Sequence, residues 1–344
     1  MAALRSLKEA GELEIRPDRR LFSATHEEII DGETTDVYFM KTYDLLDHLG
    51  LLDTPVAAEV FTSGSGTCCG IQECLNLLEG HACEVWALDE GEEFGPKEPI
   101  MQVRGPYGAF GFYETAILGI LASSSAWATA ARECRNAAKG KPFICFGARH
   151  VHPAVAPVME RAAVLGGATG ASCVLGARLA GLQPTGTIPH AAILIAGDTV
   201  RVAQAYHEIM PESSPRIILV DTFKDEAEET LRVARALGRH LEGVRLDTPG
   251  ERGGVTEALV AEVRARLDGE GFFHVKVFVS GGLNPERINA LGRAGADAFG
   301  VGSYISGAKP IDMTLDLKEI NGKPVAKRGR IPGLRPPSRL RRRL

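Results

Sequence analysis

Between Lys141 and Ser303 short apolar runs recur, each ending on a polar residue or a glycine. They are FICFGARH, GASCVLG, AAILIAGD or its upstream flank, RIILVDTF, GVRLDTPG, VKVFVSGGL and DAFGVGS. Between them lie amphipathic stretches such as APVMERAAVLGG, EAEETLRVARALG and VTEALVAEVRARLDG. Strand and helix patterns in alternation predict a parallel sheet, and roughly six or seven units in succession favour a barrel over an open sheet. With 39 glycines and only 6% aromatic residues, the composition suits aliphatic parallel strands joined by tight turns.

The flanks are organised differently. Over residues 1–135, TTDVYFMKTYDLLDHLG reads as a helix opened by Thr34 or Thr35 and closed by Gly50, and VAAEVFTS, ACEVWALDE and PIMQVRGPYG read as strands. The stretch YETAILGILASSSAWATAARECRNAA has helical period and enough Ala, Ser and Gly for close packing. After Gly307 the repeat stops, and MTLDLKEINGKPVAKRG reads as a hairpin turning at Asn321-Gly322, able to return to the first domain. The expected division is 1–135, 136–307 and 308–344, with the closing RLRRRL (Arg339 to Leu344) as a solvated basic tail.

A net charge of -5 gives no reason to expect nucleic acid, and no apolar stretch is long enough for a membrane span. The N-terminus lacks the apolar centre of a signal peptide. The seven cysteines are irregularly spaced, and CCGIQEC has no second Cys/His pair at ligand spacing, so reduced, mostly buried thiols and a cytoplasmic protein are expected.

The ends of the strands carry the chemistry. They deliver Arg149, Asp221, Asp247 two residues after Arg245, then Ser280-Gly281-Gly282 and Gly300-Val301-Gly302-Ser303. Gly281-Gly282-Leu283-Asn284-Pro285 reads as strand end, glycine turn, Asn N-cap and Pro at the first helical position. Backbone N–H groups unshielded by Cβ atoms at such a turn suit a phosphate, and the next unit repeats the arrangement. Asp221 and Asp247 read equally as helix caps or as carboxylates for a sugar diol or Mg²⁺, with Thr222 and Asp225 as alternative caps. Arg149 closes an apolar run, where a guanidinium calls for an anion, and His150 and His152 follow it. His190, in PTGTIPHAA, is open between packing and chemistry on those nine residues alone.

Taken together, TTDVYF, GPYGAFGFYETAILGILASSSAWAT, FGARHVHP, GTIPHA, LVDTF, VRLD, FVSGGL, FGVGS and EINGKPVAKRG resemble the nicotinate phosphoribosyltransferases. They stand in that family's order from about Thr34 to Arg328. The resemblance implies an α/β chain with an N-terminal sandwich-like domain and an irregular, incomplete TIM-like barrel. The implied reaction joins nicotinate to phosphoribosyl pyrophosphate with Mg²⁺, coupled to ATP hydrolysis. His190 falls where the family's histidine is phosphorylated by ATP. Asp221 and Asp247 would hold ribose hydroxyls or the metal, Ser280, Gly281, Gly282, Gly300, Gly302 and Ser303 the 5′-phosphate, and Arg149 the nicotinate carboxylate or a phosphate. Asp36, Tyr38, His150, Thr187 and Arg245 would meet substrate, with Tyr38 stacking on the pyridine ring from a neighbouring chain of a homo-oligomer. The family commonly has a second basic residue after the Arg; this chain has His150, which keeps nicotinamide open as a substrate. A quinolinate enzyme would need a denser basic cluster. An aldolase would need a strand-end lysine, a role for which Lys224 and Lys276 are poorly placed. A non-catalytic nucleotide-binding homologue would be expected to lose the charged residues that are present here.

Overall fold

The computed structural model of the chain describes residues 4–15, 17, 19–336 and 339–344. It divides into two units, Met1–Thr129 with Lys309–Leu344, and Ala130–Ala308, so the division falls inside the long helix Glu114–Ala138.

The first unit is built on a six-stranded antiparallel sheet ordered Lys323–Pro324, Met313–Ile320, Pro55–Thr62, Pro99–Pro106, Glu84–Ala87 and Arg341–Arg342. One face is apolar: Val56, Ala58, Val60, Val85, Met101 and Val103 pack with Leu78, Ile117 and Leu121 into one core. The period-2 alternation of the strands puts Glu59, Gln102 and Asp316 in one row on the opposite face, paired across the strands in register. The hairpin forms where expected. Asn321 and Gly322 both take positive φ, 50° and 70°, as a two-residue turn matched to strand twist requires.

Two expectations are corrected here. The helix Val37–His48 starts at Asp36 rather than at Thr34 or Thr35, and the Asp36 side chain makes no capping bond. The basic run is not a free tail. Arg341 and Arg342 pair with Ala87 and Trp86 along the sheet edge, Arg341 lies 2.5 Å from Asp89, and Arg342 lies 2.8 Å from Glu84. The acidic residues of the facing edge were distant in sequence, so composition alone could not reveal this pairing.

The second unit is a six-stranded parallel sheet ordered Gly170–Ala171, Phe143–Cys145, Ala298–Val301, Lys276–Val279, Gly243–Leu246 and Ile217–Leu219. The first strand in the chain pairs with the last, so the sheet curls as a barrel does. It stays open at one seam, between Gly170–Ala171 and Ile217–Leu219. Phe143, Ile218, Val244, Leu246, Val277, Val279, Phe299 and Val301 have essentially no exposed surface, which explains the unbroken apolar runs.

The chain between the seam's two strands departs from the strand reading. GASCVLG supplies only Gly170–Ala171 before the helix Val174–Leu179, and Ala191–Ala196 belongs to the helix His190–Ala196. A short apolar run bounded by Pro189 and Gly197 has no period of its own to decide between strand and helix. In that helix Ile193 is buried while Ile195 is 88% exposed, a one-sided burial that the run of apolar letters hides. All the cysteines are free, and Cys68, Cys69, Cys74, Cys134 and Cys145 are buried. Among the described residues no helix is long and apolar enough to cross a membrane.

Candidate active site

At the carboxyl ends of the parallel strands the second unit gathers most of the polar residues singled out above. Asp221 lies two residues past Ile217–Leu219, with its side chain fully buried and both carboxylate oxygens without a hydrogen-bond partner. It is not the cap of the next helix. That role belongs to Asp225, whose Oδ1 accepts from the N–H of Ala227 and Glu228 at 3.0 and 3.2 Å. Burial raises the Asp221 carboxyl above its ordinary range, and the nearby His190 opposes the rise.

His190 opens its helix after the extended Pro189 and projects between two carboxylates. Its Nε2 lies 3.7 Å from Asp221 Oδ2 and 3.9 Å from Asp247 Oδ2, while Nδ1 is 3.1 Å from Thr222 Oγ1. The ring is not a satisfied core histidine, because its side chain is 37% exposed.

Asp247 follows Gly243–Leu246 and is held by its own neighbours. Ser280 Oγ donates to Oδ1 at 2.7 Å, and Arg245 Nη2 stands 3.3 Å from Oδ2. Arg245 Nε donates to Ser280 Oγ at 2.8 Å and Nη1 to Thr187 Oγ1 at 2.7 Å, with the guanidinium 5.1 Å from the Phe146 ring centre. Desolvation lowers the Arg245 pKa, with Asp247 the largest opposing influence. Arg245 and Thr187, for which a substrate role is expected, line the same cavity as Asp247; they bond each other and, through Ser280, orient Asp247.

The glycines have specific steric reasons. Gly281 and Gly282 take φ of 93° and 58°, and Asn284 caps the next helix by accepting from Arg287 N–H at 2.9 Å, with Pro285 first in that helix. A Cβ at Gly300 would stand 2.3 Å from the Phe146 ring, and one at Gly302 2.7 Å from the His150 ring. These turns, with Ser303, border a cavity of about 340 Å³ that Arg149, His150, Ser172, Gly186 and Asp247 also line. Asp247 links that cavity to His190.

Arg149 and His150 lie in a single helical turn, Ala148–His150, and both are exposed. The guanidinium is thus not stranded in an apolar strand end, as the run FICFGARH suggests; the strand stops at Cys145. It is a solvent-reaching donor on the cavity wall. His150 Nδ1 is 3.3 Å from Ser306 Oγ, and partial burial with Arg149 nearby lowers its pKa. Asp36 and Tyr38 belong to the first unit, where Tyr38 is 54% exposed although Phe39, Met40 and Tyr43 on the same helix are buried. Sequence reasoning did not single out Phe146, Ser172 or Gly186, and weighed Thr222 only as a cap. The one available signal was their place directly after a strand or beside His190.

This arrangement combines a glycine-walled cavity, two carboxylates and an imidazole at one end of a curled parallel sheet. The profile described as the quinolinate phosphoribosyl transferase N-terminal domain matches residues 36–125, and the corresponding C-terminal domain profile matches residues 127–316. The chain belongs to the type II phosphoribosyltransferase family. Among solved structures, the nicotinate-nucleotide pyrophosphorylase of Pyrococcus furiosus is 46% identical, with a TM-score of 0.88 over 92% of this chain and 82% of that one. The human nicotinic acid phosphoribosyltransferase, at 19% identity, shares the fold, with a TM-score of 0.69 over 87% of this chain and 77% of that one. The nicotinate phosphoribosyltransferase pncB2 of Mycobacterium tuberculosis is 32% identical over 249 residues, 70% of this chain and 52% of that protein. The nicotinate phosphoribosyltransferase of Bacillus subtilis is 29% identical over 225 residues, 64% of this chain and 45% of that protein. The chain thus spans about half the length of the curated relatives it matches.

Proposed function

We propose that the protein joins nicotinate to phosphoribosyl pyrophosphate, releasing nicotinate mononucleotide and pyrophosphate, and that ATP hydrolysis drives the reaction through a phosphorylated His190. The observation that carries this reading is the half-exposed His190 ring set between Asp221 and Asp247 beside the glycine-walled cavity. The names of the curated relatives support nicotinate as the ring.

In this reading the N–H groups at Gly281-Gly282 and Gly300-Gly302, with the Ser303 hydroxyl, hold the 5′-phosphate and fix the sugar for attack by the pyridine nitrogen. The bond from C1′ to pyrophosphate breaks with positive charge growing on the sugar, and the carboxylates of Asp221 and Asp247 oppose that charge and accept from the ribose hydroxyls. Two buried, unpartnered oxygens on Asp221 fit such donors, and fit a cation equally. Asp221 and Asp247 are the residues that would hold Mg²⁺, directly or through the ligand, and the ion would neutralise the departing pyrophosphate. Arg149 and His150 supply donors for the ring carboxylate.

A nitrogen of the His190 imidazole attacks the γ-phosphorus of ATP, ADP leaves with the bond's electron pair, and the phosphoryl group later passes to water. A phosphoimidazole stores ATP's free energy at the pyrophosphate end of the site. The exposed Tyr38 ring, with Asp36 beside it, would complete the ring pocket of a second copy in a homo-oligomer.

A second reading, a quinolinate enzyme on the same scaffold, is favoured by the description of the matching profiles. The test is mononucleotide formation from phosphoribosyl pyrophosphate and Mg²⁺ with nicotinate, nicotinamide or quinolinate, each with and without ATP. Nicotinate turnover that rises with ATP is the expected result; turnover confined to quinolinate and indifferent to ATP overturns the proposal. His190→Ala should abolish the acceleration by ATP while slow ATP-independent turnover persists, and full acceleration in the variant removes the phosphohistidine step.

A further inference from the structure

One wall of the cavity is made by two short loops, residues 146–150 after the strand Phe143–Cys145 and residues 172–173 after Gly170–Ala171. Both loops are tied to a single side chain. Glu160, in the helix Ala156–Gly166, has no exposed surface. Its Oε1 accepts from Ala148 N–H at 3.3 Å and from Ser172 Oγ at 2.9 Å, and its Oε2 accepts from Cys173 N–H at 2.6 Å.

The surroundings make this an expensive place for a carboxylate. Ala156, Met159, Ala162 and Ala163 on the same helix are buried, and an apolar residue at position 160 would satisfy packing alone. Each of the three donors comes from a loop that borders the cavity, and none comes from the helix itself. The close approach is shared by the facing helix Val174–Leu179, where a Cβ at Gly176 would stand 3.1 Å from the Glu160 Cβ. The bond also sets a polarity. An ionised carboxylate only accepts, so the Ser172 hydroxyl hydrogen is committed to Glu160 and its oxygen offers lone pairs to the cavity.

We infer that Glu160 is a positioning residue for the acceptor ring. It holds the loop bearing Arg149 and His150 and the loop bearing Ser172 at the spacing and hydrogen-bond polarity that the ring pocket needs. This rests on the transferase reading above, and its failure can be told apart from a failure of that reading. Gly300 and Gly302 face the Phe146 and His150 rings of the held loop, but the phosphate turn at Gly281-Gly282 stands against Asp247 on another strand, so a fault at Glu160 should be felt at the ring before the sugar phosphate.

Glu160→Gln keeps the side-chain volume but replaces one acceptor oxygen with a donor. It should raise the KM for nicotinate about ten-fold, with the KM for phosphoribosyl pyrophosphate changed less than about two-fold. Ser172→Ala removes a single hydrogen bond at a half-buried site and should raise the nicotinate KM in the same direction; it carries the test if Glu160→Gln does not fold. Either an unchanged nicotinate KM in both variants or parallel rises in both Michaelis constants overturns the inference, since a merely structural carboxylate would disturb the whole site together. If the wild type instead uses another ring, the same split is read with that ring. A wild type silent with every ring ends the transferase reading, and the inference with it, whatever the variants do.

Discussion

Both units bury charged and amide side chains that find partners within the chain, as Glu160 does in the second, but the second unit also leaves the Asp221 carboxylate with neither oxygen bonded. In the first unit the row of Glu59, Gln102 and Asp316 is bonded to the chain's own C-terminal segment. Glu59 Oε1 accepts from Gln102 Nε2 at 2.9 Å and from Arg335 N–H at 2.7 Å, Gln102 Nε2 also donates to the Arg335 carbonyl at 3.0 Å, and Asp316 lies 3.2 Å from Lys327 and 3.0 Å from Arg330. Lys318 Nζ donates to the Ile331 carbonyl. In the second unit Asp221 is buried with neither oxygen bonded, and His190 meets its carboxylates only at 3.7 and 3.9 Å. A buried charge that finds its partners within the chain contributes to the fold, whereas one left unpartnered at a strand end weakens the fold and awaits a ligand.

The contrast can be broken or sharpened by substitution. The largest effect is expected at Asp247. Asp247→Asn should lower turnover about a thousand-fold, roughly 4 kcal/mol of transition-state stabilisation, while the melting temperature stays close to wild type. A variant that unfolds but keeps its specific activity would move Asp247 to the structural side.

Asp221→Asn should lower turnover about a hundred-fold, and its stability should respond to pH in a definite sense. Burial holds the Asp221 carboxyl above its ordinary value, so the folded state binds this proton more readily than the unfolded chain does. That contribution is complete below the ordinary carboxylate range and is lost as pH rises through the raised value. The amide carries no such loss, so the variant should melt progressively higher relative to wild type over the range from about pH 4 upward. A constant difference across that range would contradict the assignment.

Glu59→Ala tests the opposite side. It should destabilise the protein by about 2–3 kcal/mol in denaturant unfolding, because the Arg335 N–H and the Gln102 amide lose a buried acceptor, while turnover per folded molecule is unchanged. The smallest effect belongs to Arg341→Ala, which removes an exposed ion pair with Asp89 and should change stability by less than about 1 kcal/mol, and less still in high salt.

The repeat of apolar runs between Lys141 and Ser303 was enough to predict a parallel, barrel-like sheet, because strands buried on both faces must be apolar throughout. The Asn321-Gly322 turn was equally legible, since few residue pairs tolerate positive φ twice. Ala191–Ala196 was not: a short apolar run fits a strand or a helix, and its helix lies in the stretch linking the two edge strands of the open sheet. The basic end of the chain was misleading for a related reason, since its acidic partners lie more than two hundred residues away.

For the site, the local sequence determined the candidate chemistry: which residues follow a strand, which turn needs glycine, and which helix Asn284 caps. Local spacing could not decide whether Asp221 or Asp225 caps the next helix, whether His190 is buried, or that Glu160 reaches two loops at once. Those outcomes depend on which groups become buried together and whether each finds a donor or acceptor there. Only the folded chain brings residues 160, 190, 221 and 247 to those partners.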